Sequence, residues 1–173
     1  NPCHLYHANL REANLSRARM NGSNLRGADL RGADLSGADL DRAVLSDANL
    51  TGAKLVNANL SRASLAGANL TDADLTGASF AGASLVRANL TNAICTNSDF
   101  FQAQFWSVDL TGTDLSDSIF GYTIFQDCDL SGVKGLDQVR HDAPSTLGLD
   151  SLFRSHGQIP EAFLRGVGLP EAT

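Results

Sequence analysis

No apolar run in the chain comes near the ~20 residues that a membrane-spanning helix needs, and Asn1-Pro2-Cys3 leads into the body of the sequence without the basic and apolar regions of a secretory signal. Both absences are those expected of a soluble, cytoplasmic chain. Aromatic residues make up only 6% of the sequence, and the 43% apolar content is largely Ala and Leu, which points to repetition and away from one large core. Basic residues are in deficit, 13 against 19 acidic ones, and a net charge of -6 disfavours nucleic acid as a partner. Cysteine is scarce: Cys3, Cys95 and Cys128 lie far apart, so a disulfide framework is not expected and a reducing compartment fits.

Chemistry-bearing patterns are missing too. His4 and His7 have only Cys3 nearby, which is no metal-ligand set. His141-Asp142 ahead of Ser145 has the ingredients of a triad, but a triad is made in space, and Ser145 is better placed to cap a helix. Gly166-Val167-Gly168 lacks the preceding strand and third glycine of a dinucleotide loop. No catalytic residue, cofactor or metal site is therefore expected, and the chain reads as non-enzymatic.

What the sequence does have is a period. From Leu5 to Leu130 every fifth residue is large and apolar, with Cys95 the one exception, and most units read Ala-Asn/Asp-Leu-x-x. A step of five residues advances about 140° beyond a full helical turn, so the apolar positions would spiral around an α-helix without forming a stripe. In a straight strand the Ala and Leu of one unit would share a face, but the next pair would land on the opposite one. The conflict disappears if the chain bends after each short extended segment, so that every Ala/Leu pair faces a common axis. Cys3 and Cys128 then take Ala positions and Cys95 a Leu position, all pointing inward.

The remaining positions suit such bends. Glycine recurs two residues after the Leu position, as in Gly22, Gly52, Gly77, Gly112 and Gly132, where a turn can use positive φ. Asn or Asp before Leu, as in Asn9, Asp29, Asn49, Asn69, Asn89, Asp109 and Asp129, can hydrogen-bond the local backbone. These residues resemble the pentapeptide-repeat family from Cys3 to about Gly132. The resemblance implies a right-handed, four-sided parallel β-helix with four units per coil, here about six and a half coils. Independent support for four sides comes from spacings of twenty: Phe80, Phe100 and Phe120, then Phe105 and Phe125, and Thr51, Thr71, Thr91 and Thr111. The expected organisation is a β-helix over residues 1–132 and a capping segment over 133–173. The first coil has no evident cap, so the chain is expected to be cut from a longer one or to stack on a partner.

Beyond Cys95 the units change. Phenylalanine takes several Leu positions, and apolar residues appear at outward positions: Phe101, Ile119 and Tyr122 on one face, Trp106 and Ile124 on the next. Such a patch is expected to be covered, either by the chain's own tail or by a second copy or protein partner. In the tail, Ser145-Thr146 is expected to cap a helix from Leu147 to about Ser155, with Leu149, Leu152 and Phe153 on its buried side; a second helix over Glu161–Arg165 would dock through Phe163 and Leu164. The stretches Pro144–Leu152 and Ile159–Glu171 resemble the segment that joins pentapeptide repeats to a Toll/interleukin-receptor (TIR) effector domain in bacterial proteins. That resemblance implies a scaffold or sensing module of a larger anti-phage effector, acting through self-association or a protein partner. The alternative is a DNA mimic that binds gyrase, as quinolone-protecting members of the family do. Against it, the outward acids Glu12, Asp41, Asp47, Asp72, Asp117 and Asp127 are interspersed with Arg17, Arg42, Arg62 and Arg87.

Overall fold

A computed structural model describes residues 4–169. Parallel bridges join Asn9 to Asp29, Asp29 to Asn49 and Asn49 to Asn69, and the same twenty-residue step links Asn14 to Asp34, Arg19 to Asp39 and Asn24 to Val44. Four bridge columns, five residues apart in sequence, make a four-sided β-helix.

The sequence sets up each corner locally. The Asn49 carboxamide oxygen accepts from the Thr51 N–H at 3.1 Å and from the Thr51 hydroxyl at 2.6 Å, and the Ala53 N–H closes the turn on the Leu50 carbonyl at 2.9 Å. The residue two past each Leu sits in the left-handed region, whether it is Gly52 (φ 64°), Asp72 (φ 57°) or Arg87 (φ 56°). Glycine relieves strain at this position but is not required there. Gly132 departs from this pattern: the Gly112 N–H bonds its carbonyl at 3.2 Å, so the register has already slipped by one residue.

Inside, the Leu and Ala positions from Leu25 onward are fully buried, while Leu5, Leu10 and Leu15 of the first coil are only partly so. The expected aromatic columns are present: Phe100 stacks on Phe80 at 5.0 Å and on Phe120 at 5.5 Å, and Phe105 stacks on Phe125 at 5.0 Å. The hydroxyls that replace Ala nearby donate to carbonyls of the preceding coil, Ser98 to Leu75 and Thr123 to Phe100, each at 2.8 Å. The first strands longer than a single bridge form here: β1 (Gln104–Trp106), β2 (Ile119–Phe120) and β3 (Ile124–Gln126).

After Gly132 the chain lays down a further, looser coil. Strand β4 (Arg140–His141) pairs Phe120 with His141, and β5 (Thr146–Leu147) pairs Phe125 with Leu147, one and two residues beyond the twenty-residue step. Two short helices follow, α1 (Leu149–Arg154) and α2 (Glu161–Gly166). Phe163 of α2 is fully buried against the rings of Phe120, Phe125 and His141 at 6.3, 5.6 and 5.2 Å. Leu152 and Leu164 pack partly buried on the core.

The tail corrects two expectations. Helix α1 has no side-chain N-cap and begins after Gly148; Ser145 instead accepts from the Thr123 N–H at 3.3 Å, and Thr146 belongs to β5. Leu149 and Phe153 are not on the buried side: they are 72% and 75% exposed. The reason lies in the last coil, whose N–H groups need acceptors. Ser151 accepts from Cys128 at 3.0 Å and Ser155 from Leu130 at 2.9 Å. Residues four apart share a helix face, so turning both serines inward turns Leu149 and Phe153 out.

Candidate protein-docking face

On each side of the column two outward positions flank the inward Leu, and both repeat every coil. One side joins Val44, Ser64, Ser84, Gln104 and Ile124 by successive bridges. Beside them stand Ser46, Ala66, Val86, Trp106 and Gln126, linked coil to coil by N–H groups of the neighbouring corner: Asp47 to Ala66, Gly67 to Val86, Arg87 to Trp106 and Ser107 to Gln126. None of these ten residues is charged, over five coils spanning roughly 20 Å. The other three sides all carry charge, Asp29 and Asp109 on one, Asp34, Lys54 and Asp74 on the next, Asp39 and Asp99 on the third.

The same stretch carries several of the exposed apolar groups, although Ile94, 44% exposed, stands on the side of Asp74 and Asp114. Trp106 is 56% exposed, Ile124 40% and Val44 36%, and Tyr122, at the adjoining corner, is 59% exposed. Gln104, Trp106, Ile124 and Gln126 enclose a shallow hollow of about 200 Å³. A second hollow of about 360 Å³ lies lower, floored by Ser46, Ala66 and Val86 with Arg26, Asp47 and Arg87 at its rim. Arg26 pairs with Asp47 at 3.3 Å and, higher up, Arg154 with Asp127 at 2.6 Å, while Arg87 has no ion pair among the described residues.

Of the five residues read from the sequence as a patch, Trp106, Tyr122 and Ile124 stand open on this side and its corner. Phe101 is half-buried, lying over Gly121 with its ring edge-on to Tyr122 at 5.6 Å. Ile119 belongs to the preceding side and is half-buried, its strand paired with β4. The tail closes the column along its axis and so leaves the outward side chains of β1 and β3 open. The run of uncharged positions below the patch escaped the sequence reading, although grouping outward residues by twenty would have found it.

The candidate chemical groups stay apart. His4 and His7 are exposed, and Cys3 lies outside the described residues. Cys95 and Cys128 are buried free thiols, and burial pushes both up from the ordinary range, Cys128 to about 11. His141 and Ser145 do not bond: both ring nitrogens of His141 lack partners. Among the described residues no three of His, Cys, Asp and Glu gather as a metal site, and no helix is long and apolar enough to cross a membrane.

The family model of pentapeptide repeats matches the chain in eight copies, over residues 8–47, 43–81, 68–106 and 98–134. Among solved structures, alr5209 from Nostoc PCC 7120 aligns at 30% identity and a TM-score of 0.51, over 56% of this chain and 83% of that one. HetL, a protein involved in heterocyst differentiation regulation from Nostoc sp. strain PCC 7120, aligns at 26% identity and 0.47, over 82% of each chain. Rfr23 from Cyanothece 51142 aligns at 36% identity and 0.43, over 56% of this chain; the alignment spans 63% of Rfr23, less than two thirds of its length. No curated protein matches the sequence.

Proposed function

Because the chain belongs to the pentapeptide-repeat family, and so forms a right-handed four-sided β-helix, we propose that it is a non-catalytic scaffold that docks protein through the side bearing Trp106, Tyr122 and Ile124. The observation that carries this reading is that Trp106, Ile124 and Tyr122 stand exposed on or beside a run of ten uncharged outward positions, the nearest charge in the same columns being Arg26, one level below and paired with Asp47. Burying those five levels strips no charge of its water, whereas burying five levels of any other side would.

The larger setting we infer is the cytoplasm of a bacterium, with the column as the assembly or sensing part of a TIR-type effector. The support is the resemblance of Pro144–Leu152 and Ile159–Glu171 to the segment that precedes such domains. The gyrase-binding alternative needs a continuous acidic surface. Ion pairs of Arg62 with Asp41 at 2.6 Å, Arg26 with Asp47 and Arg154 with Asp127 interrupt it, which favours the protein-docking reading. A supercoiling assay with purified gyrase is expected to show neither inhibition nor protection.

The test of docking is site-specific photocross-linking in cells. A photoreactive residue at position 106 is expected to give a discrete adduct that one at Lys54, on a charged side, does not. Equal or absent labelling from both positions would sink the reading.

A further inference from the structure

We propose that the occupant of this face is a second copy of the chain, lying antiparallel across it about a two-fold axis that runs along the strand direction through the level of Ser84 and Val86. The inference rests on the docking reading above and names its partner.

Two identical faces in contact are related by an axis lying in the contact plane. An axis along the strands keeps each residue in its own column and exchanges the upper levels of one copy with the lower levels of the other. Ser84 and Val86 then meet their own counterparts. One level out, Trp106 meets Ala66 and Gln104 meets Ser64; two levels out, Ile124 meets Val44 and Gln126 meets Ser46. The largest exposed side chain is thereby set over the hollow of about 360 Å³ that Ser46, Ala66 and Val86 floor. Ile124 meets the only other aliphatic side chain on this face exposed to a comparable degree, and both glutamines meet serines.

The corners follow the same operation. Arg42, Arg62, Gly82, Gln102 and Tyr122 form one corner column of left-handed residues, so Tyr122 meets Arg42, a guanidinium over an exposed ring. On the other corner Arg87 meets its own counterpart, the one like-charge encounter whose partners have no ion pair of their own, and it lies at the exposed rim. Asp47 and Asp127 also meet there, each already neutralised by its own arginine. A footprint on the order of 300 Å² per copy falls short of the ~800 Å² per partner of a stable interface, so the dimer forms and dissociates with concentration.

Trp106 is the chain's only tryptophan, so its fluorescence reads this face directly. As concentration rises, emission is expected to move to the blue and acrylamide quenching to fall, in step with a rising sedimentation coefficient. Ala66→Lys, an outward substitution, is expected to raise the dimer Kd at least about tenfold with an unchanged thermal melt. In a Cys3→Ser background, Val44→Cys and Ile124→Cys are expected to cross-link when mixed and neither to cross-link alone. The proposal is overturned if Trp106 stays equally quenched and the protein monomeric at every concentration. It is also overturned if Trp106→Ala abolishes association while Ala66→Lys leaves it intact, since that marks a sticky side chain without this register. If the pure protein stays monomeric while position 106 still cross-links selectively in cells, the second copy is excluded and docking survives.

Discussion

His141 continues the inward column of Leu40, Leu60, Phe80, Phe100 and Phe120, with its ring 6.1 Å from Phe120 and 5.2 Å from Phe163. Its nitrogens reach neither water nor a partner, and its ring lies so close to Gly166 of α2 that a side chain there would collide with it. The neighbouring charges are already paired with each other, Arg140 of β4 with Asp142 just beyond it and Arg165 with Glu161 on α2. Burial therefore depresses the imidazole below its ordinary value of 6.5. A depressed folded-state value means the unfolded chain binds the proton more readily, so this contribution to stability is intact above about pH 6.5 and is lost as pH falls through the folded value. Melts of the wild type are expected to drop between pH 7 and 5, and melts of His141→Phe to stay flatter over that window. Asp29, which Arg31 holds down at about 2, titrates well below it. A second residue-scale test concerns packing: Ala68 is fully buried where the coil is narrow, so Ala68→Leu is expected to cost about 1 to 3 kcal/mol by overpacking, read as a lowered denaturation midpoint.

At the scale of elements, the helical cap answers a hydrogen-bonding need as much as an apolar one. Ser151→Ala and Ser155→Ala each leave a buried N–H of the last coil without an acceptor and are expected to cost about 1–3 kcal/mol in chemical denaturation. Phe163→Ala empties the plug between Phe120 and Phe125 and is expected to cost about 3–5 kcal/mol, whereas Leu149→Ser and Phe153→Ser should leave stability nearly unchanged. The contrast explains what could be read from the sequence here. Phe163 was legible as a docking residue because it is the largest apolar group in a short helix with nothing else to bury. Leu149 and Phe153 misled for the same reason: apolar content was weighed, while the need of the Cys128 and Leu130 N–H groups for side-chain acceptors becomes visible only once the following coil is known to lay a helix, not a strand, over them. The slip of register at Gly132 hid β4 and β5 in the same way, since a period of five cannot be followed through spacings of twenty-one and twenty-two.

Over the whole molecule, the five-residue period fixes the core, and the twenty-residue period fixes which surface a residue joins. The first was fully legible from Leu5 to Leu130, because every inward position obeys it. The second was legible for the phenylalanine columns but not for the uncharged side, whose small residues carry no signal singly. These two levels can be separated by deletion. Removing ten residues, 48–57, keeps every Ala and Leu position in phase, so the chain is expected to retain its β-sheet circular dichroism and a cooperative melt at somewhat lower temperature. It also rotates everything beyond the cut by half a coil, carrying Trp106 and Ile124 to the side of the column opposite Val44 and Ser46. Self-association measured by sedimentation is expected to disappear. Removing twenty residues, 48–67, restores the alignment with one level fewer, and association is expected to return, weaker than in the full column. A shortened column that associates equally well after either deletion would show that the exposed patch acts alone and that the uncharged side beneath it plays no part.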